Sequence, residues 1–362
     1  MTTAEFVHLH NHTEYSLLDG ATRLTDEKGN PSEFIKAMAA AKFPALAITD
    51  HGNLFGAIEF YQVCTEVGIN PIIGIEAYLA PESRLDRKGS PSESAHHITL
   101  LSTNLAGYKN LMKLTSQSFL EGYYYKPRLD REILAKHSEG LVALTGCLKG
   151  EVSSALLREQ PDKAAKALDD YRAIFGKDNV FVELMDHGLP DQRKVFPRLV
   201  ELAKKFDAPL VATNDCHYFR KDDHFAHDVL LCIGTGKTLN DPHRLKYNAP
   251  EFYYKAPQEM METFKEVPQA LRNTLSIAER CRLSLTFNQI WLPSRVTSSA
   301  AQPRPGLATA GSGVNDGVSL VATARHRAIA VRHVAFKTHQ RLVNERFLTD
   351  RHQCPARSDG RA

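Results

Sequence analysis

The sequence lacks an apolar run near the ~18 residues needed to cross a bilayer as a helix. Its start, Met1-Thr-Thr-Ala-Glu, has neither the basic nor the apolar stretch of a secretory signal. No C-x-x-C joins any of its six cysteines, Cys64, Cys147, Cys216, Cys232, Cys281 and Cys354. Scattered thiols argue against a disulfide framework and for a reducing compartment. No G-x-G-x-x-G or P-loop pattern follows any expected strand, which argues against a nucleotide-cofactor fold. A broad basic face is also missing from most of the chain. From Arg295 onward ten Arg and one Lys face four acids, so the rest carries 34 basic against 38 acidic residues. Any nucleic-acid contact in that main part is therefore local. These absences together predict a cytoplasmic protein with no membrane segment.

What is present is an alternation. Short apolar runs end in polar residues at 6–12, 44–52, 71–78, 96–101, 141–147, 180–188 and 209–217, and amphipathic stretches separate most of them. Strands alternating with helices imply βαβ units and a mostly parallel sheet, and at least seven strands favour a closed barrel. The alternation stops near Arg220. Residues 221–293 read as a mainly helical extension, with helices expected at 222–232, 257–266 and 269–282. Residues 294–362 are rich first in Ser, Ala, Gly and Pro and then in Arg, and read as a disordered basic tail. That tail is either genuine or the product of a shifted reading frame. The expected domains are thus 1–220, 221–293 and 294–362.

The chemistry begins at His8-Leu9-His10-Asn11-His12. In an extended strand alternate side chains share a face, so His10 and His12 can reach one ion, with His8 on the same side. Asp19 follows closely. His51 ends the second strand, Glu76 interrupts an apolar third strand, and His97 lies on the fourth. Cys147 ends the next, and Asp215 and His217 end the last. In a parallel barrel the strand C-termini open on one face, where active sites are built. Singly, each residue is ordinary: a buried Glu or His is often just satisfied by hydrogen bonds, and a lone Cys is a small hydrophobe. Jointly they are ligand chemistry, because burying so many ionisable groups together without ions is costly. Nine groups exceed the needs of one ion, so two or three divalent ions are expected. Asp50 fits a supporting role beside His51. His137, His224 and His227 lie on helical stretches and read as surface or packing residues, and His187 is ambiguous. Multinuclear centres of this kind suit phosphate-ester hydrolysis, since the ions activate water and neutralise phosphoryl charge. Lys126 and Arg128, beside Tyr123-Tyr124-Tyr125, form a loop that could contact DNA phosphates and bases, although Tyr-rich loops are often simply packed.

These motifs resemble the polymerase and histidinol phosphatase (PHP) superfamily. The runs 6–20, 50–57, 121–128 and 212–218 are similar, more closely, to the start of bacterial DNA polymerase III alpha subunits, over about residues 5 to 290. The resemblance implies a distorted (β/α)7 barrel with up to three Zn or Mn ions on His10, His12, Asp19, His51, Glu76, His97, Cys147, Asp215 and His217. It implies 3′–5′ exonuclease activity on DNA, with Asp215, His217 and Glu76 acting through the ions. It also implies the remaining polymerase domains and other replisome subunits as partners. Relatives whose ligands have decayed keep the domain as a scaffold for the polymerase, which is one alternative. A small-molecule phosphatase of the histidinol-phosphate type is another, and the polymerase-like extension argues against it. The resemblance fails near Pro293, which favours a frame-shifted tail and implies that the polymerase palm is missing from this chain.

Overall fold

The computed structural model describes residues 4–90 and 93–288. Each apolar run after the first becomes a strand, the run at 6–12 is extended chain with an isolated bridge, and most amphipathic stretches become helices. The strands are β1 (Ala45–Ile48), β2 (Asn70–Leu79), β3 (His96–Ser102), β4 (Arg128–Leu129), β5 (Leu141–Leu144), β6 (Val180–Leu184) and β7 (Leu210–Ala212). The helices are α1 (Glu33–Ala40), α2 (Ala57–Glu66), α3 (Leu105–Leu120), α4 (Arg131–Lys136), α5 (Glu151–Leu157), α6 (Pro161–Phe175), α7 (Pro190–Phe206), α8 (His224–Thr235), α9 (Pro257–Thr263) and α10 (Pro268–Arg280). Local chemistry sets several starts. Ser32, Asn104 and Asp130 accept hydrogen bonds from the first-turn amides of α1, α3 and α4. Proline opens α6, α7, α9 and α10, where its missing N–H costs nothing.

The sheet runs β1-β2-β3-β5-β6-β7, with β4 beside β2. Residues 6–12 close it. Ala47 and Thr49 donate their amides to the carbonyls of His8 and Asn11 on one side. His12 donates to Cys216, and Cys216 to His10, on the other. Asn11 and Cys216 form a parallel bridge. The result is the expected distorted seven-membered α/β barrel, with one departure in direction. β3 is antiparallel to both β2 and β5. A return to parallel pairing normally uses a crossover helix, and no described residue between β2 and β3 is helical. The start of β3, rather than its end, therefore lies at the barrel mouth.

Side-chain alternation sorts the apolar residues into two layers. Val7, Leu9, Ala45, Ala47, Ile72, Leu101, Val142, Leu144, Phe181 and Val211 fill the barrel interior. Leu46, Ile48, Ile73, Ile75, Leu100, Ala143 and Val182 face the helices. The extension after β7 is helical, as expected, and α10 plugs the end opposite the mouth. Its Ile277, Ala278 and Cys281 join the interior cluster, and Thr274 Oγ1 accepts a bond from the Val7 amide at 3.0 Å. Among the described residues no helix is long and apolar enough to cross a membrane. The expected tail at 294–362 lies outside the described residues.

The α10 plug makes a stability prediction. Ile277 is fully buried, so Ile277→Ala should cost about 2–5 kcal/mol in urea unfolding with an unchanged m-value. Thr274→Val strands the buried Val7 amide and should cost about 1–3 kcal/mol.

Candidate metal centre

The inward-facing rows that fill the barrel with apolar residues end in polar ones at the mouth. Ile72 leads through Gly74 to Glu76, Phe181 leads to Glu183, and Val211 leads through Thr213 to Asp215. Because β3 is reversed, Leu101 leads backwards through Thr99 to His97, and Thr99 pairs with Glu76 across the sheet. All nine residues expected as ligands converge here. Glu76 is the hub. Its carboxylate lies 2.6 Å from His97, 2.7 Å from His51, 3.4 Å from His10, 3.7 Å from His12 and 3.7 Å from Cys147 Sγ. Asp215 lies 3.1 Å from His12, 3.3 Å from His10 and 3.7 Å from His217. Asp19 reaches His51 at 3.1 Å and His217 at 3.9 Å.

Backbone detail makes the convergence possible. Asp215 has φ of +43°, a left-handed conformation that Asp tolerates better than most residues. At Gly20 any Cβ would meet the Thr13 carbonyl oxygen at 2.0 Å, so only glycine lets the turn carrying Asp19 fold back on the first segment. A bend at His10 breaks the alternation of that segment. The expectation that His8 shares a side with His10 and His12 is therefore corrected. His8 packs outside the barrel against Phe6, Phe43 and Tyr254, with its Nε2 on the Lys255 carbonyl at 3.0 Å.

Three histidines have their tautomers fixed by what lies behind them. His10 Nδ1 faces Glu183 Oε1 at 2.8 Å, an acceptor, so Nδ1 carries the proton. His217 Nδ1 donates to the Asp215 carbonyl at 2.7 Å. His12 Nδ1 lies 2.9 Å from Ser16 Oγ, whose own proton goes to Asp50 at 2.6 Å, so His12 must donate. In all three Nδ1 is taken, and Nε2 is the atom that could reach an ion. This is how histidine is usually oriented towards a metal. Asp50 thus holds His12 through Ser16, and it also accepts from the Thr13 amide and hydroxyl.

The remaining atoms also fit ions better than one another. His10 Nε2, His51 Nδ1 and Glu76 Oε2 are buried without a hydrogen bond. His51 Nδ1 and Glu76 Oε2 are only 2.7 Å apart, yet misaligned for one, as lone pairs aimed at a common point would be. Three overlapping groups could each hold a divalent ion: His12, His51 and His217; His10, His12 and Glu76; and His51, Glu76 and His97.

Without ions the charges are frustrated. Burial opposes a charged His51, but the Glu76 and Asp19 carboxylates outweigh it and lift the pKa to about 10. At His10 burial is likewise outweighed, by Asp215 and Glu183, and the pKa rises well above the usual 6.5. Burial prevails at His12, lowered to about 4 with help from His51, and at His217, lowered to about 3 with help from His12. Burial would raise Glu76 and Asp19, but neighbouring histidines hold both well below the carboxylate range. Burial, then Glu76 and Asp215, push the Cys147 thiol far up. It would have to shed its proton to act as a ligand.

Two supporting residues escaped the sequence reading. Glu183 accepts from His10, from Thr213 Oγ1 at 2.6 Å and from the Gly146 amide at 2.8 Å. It interrupts Val180-Phe-Val-Glu-Leu just as Glu76 interrupts its strand, and that shared signal could have found it. Tyr247 lies 2.9 Å from His217 Nε2 and 3.2 Å from Asp19 Oδ1, and no pattern in its surroundings marks it. Of the expected DNA contacts, Lys126 is exposed, 5.3 Å over the Tyr78 ring at the mouth. Arg128 is corrected. It is 2% exposed, and its guanidinium is spent on the carbonyls of Gly122, Ser94, Arg84 and Asp86. His227 is buried, and its Nε2 lies 3.0 Å from the Asp19 carbonyl. His187 stacks on Phe252 and bonds Gln192 and Asn214, outside the centre.

Comparison with known proteins adds to this geometry. Residues 8–187 match the PHP domain model. The chain is 46% identical to the DNA polymerase III subunit alpha of Treponema pallidum over 286 residues, covering 79% of this chain and 24% of that protein. It is 47% identical to the Thermus aquaticus protein of the same name, covering 78% and 23%. The chain thus spans about a quarter of the length of the curated relatives it matches. Among solved structures, an amidohydrolase from Chromobacterium violaceum aligns with a TM-score of 0.37 at 16% identity, covering 59% of this chain and 87% of that one. Likeness at that level adds nothing to the fold described above.

The charge state sets a pH prediction. An ion must displace the protons that Glu76, Asp19, Asp215 and Glu183 hold on His51 and His10. Divalent-ion affinity should therefore rise with pH between 6 and about 10, by about tenfold per unit for each proton displaced, in titrations of stripped protein. Glu183→Gln should weaken binding roughly 10–100-fold by loosening His10.

Proposed function

The chain belongs to the PHP family, and from that premise we propose that it is a metal-dependent phosphoesterase acting on DNA, removing nucleotides as a 3′–5′ exonuclease within a DNA polymerase III alpha subunit. The observation that carries this reading is the set of three imidazoles, His10, His12 and His217, each held at Nδ1, with the Nε2 atoms of His10 and His12 facing Glu76 and Asp215. We assign the ligand role to those five residues together with Asp19, His51, His97 and Cys147, and the ions as two or three Zn or Mn. Three overlapping groups of donors support more than one ion. Such ions supply Lewis-acid charge and an activated water for attack at phosphorus.

The chain's own residues do the positioning. Asp50 and Ser16 lock His12, Glu183 locks His10, and the Asp215 backbone locks His217. Donors held in this way lose little freedom when they bind. Lys126, exposed at the mouth, offers an ammonium to the phosphates of an incoming strand. The polymerase activity, replisome partners and cytoplasmic setting of the full-length relatives come to this chain as part of the same proposal, with residues 1–220 as the hydrolytic barrel and 221–293 as the extension towards the polymerase.

The test is release of 3′-terminal nucleotides from labelled single-stranded DNA by protein loaded with Mn or Zn. Asp215→Asn or His12→Ala should lower the rate by about 100-fold or more while leaving the fold intact by circular dichroism. Metal-loaded protein that is inert on DNA and on phosphoesters generally would instead mark a metal-stabilised scaffold. Activity on histidinol phosphate alone would mark a small-molecule phosphatase.

A further inference from the structure

The segment joining α8 to α9 returns to the metal centre and places one side chain against it. Arg244 pairs with Asp228 of α8, with Nη2 to Oδ2 at 2.7 Å, and so pins the segment. Three residues later the Tyr247 ring packs against Phe252 at 4.6 Å, His217 at 4.9 Å and His227 at 5.0 Å between ring centres. Its hydroxyl lies 2.9 Å from His217 Nε2 and 3.2 Å from Asp19 Oδ1.

A phenol has one proton to give. His217 donates at Nδ1 to the Asp215 carbonyl, so its Nε2 is an acceptor, and the one Tyr247 proton lies between it at 2.9 Å and Asp19 Oδ1 at 3.2 Å, nearer the imidazole. The Nε2 lone pair is the one His217 would need for an ion. His10 differs, because its Nε2 has no hydrogen-bond partner. A hydroxyl therefore stands against the imidazole on the His217 side of the centre and none does on the His10 side.

We propose that Tyr247 gates the His217 side of the centre. Its hydroxyl competes with a divalent cation for His217 Nε2. When the cation enters, the same proton turns to Asp19 Oδ1, already within reach. The ion held through His217 is then the weakest bound, and the segment between α8 and α9 governs its loading. Tyr247 is a positioning residue, since it acts through His217 and Asp19. The inference rests on the reading that the centre takes divalent ions.

The test is calorimetric titration of the metal-stripped full chain with Mn2+, comparing wild type, Tyr247→Phe, Tyr247→Leu and His217→Ala. His217→Ala identifies the binding step that depends on that ring. In both Tyr247 variants the same step should tighten roughly three- to tenfold, because a shorter hydrogen bond need no longer be exchanged for a longer one, with the other steps unchanged. Loading the wild type should also give a near-ultraviolet tyrosine difference spectrum that shrinks in Tyr247→Phe. Mn2+ binding that is unchanged or weaker in both Tyr247 variants, at an equal ion count, overturns the gate and leaves the phosphoesterase reading standing. A wild-type chain that binds no ion overturns both.

Discussion

The Glu76 carboxylate is the group on which the rest of the arrangement depends. It is buried, and four imidazoles and a thiol lie within 3.7 Å of it. A carboxylate taken out of water needs compensation, and here only histidines with competing demands supply it. They cannot all be protonated side by side, and the opposite directions of their pKa shifts express that conflict. Divalent cations would resolve it, because every lone pair could then point at positive charge.

What makes this density tolerable is the layer behind it. Glu183, Ser16 with Asp50, and the Asp215 carbonyl each take an imidazole N–H, and these groups are themselves bonded to further donors, among them Thr213, the Gly146 amide and Thr13. Orientation is therefore set before anything binds. Below the mouth, the same rows of side chains that carry the polar groups continue as a dry apolar interior closed by α10, which keeps water from screening the centre from beneath.

Much of this could be read from the order of residues, for a definite reason. Strand period and strand-end polarity are local signals, so the alternation of elements and the nine converging residues were visible without coordinates. Four features were hidden because they depend on direction, distance or tertiary packing. His97 opens its strand, and only the reversal of β3 brings that end to the mouth. His8 obeys the same spacing as His10 and His12 until a bend at His10 separates them. Arg128 has the composition of a phosphate contact, but its guanidinium is buried under four carbonyls. Tyr247 comes from a segment with no pattern at all, and it meets His217 only through tertiary packing.

The closure of the barrel by residues 6–12 has a consequence in time. That segment is made some two hundred residues before one of its two flanking neighbours, the stretch at Cys216. During synthesis the first segment can pair with β1 alone, and the ring stays an open, curled sheet with one bare edge. Glu76 and His97 meet early across the β2–β3 pair. Asp215 and His217 arrive with the last strand, so the pocket for cations is completed by the same step that seals the cylinder, and a nascent chain carries only half of it.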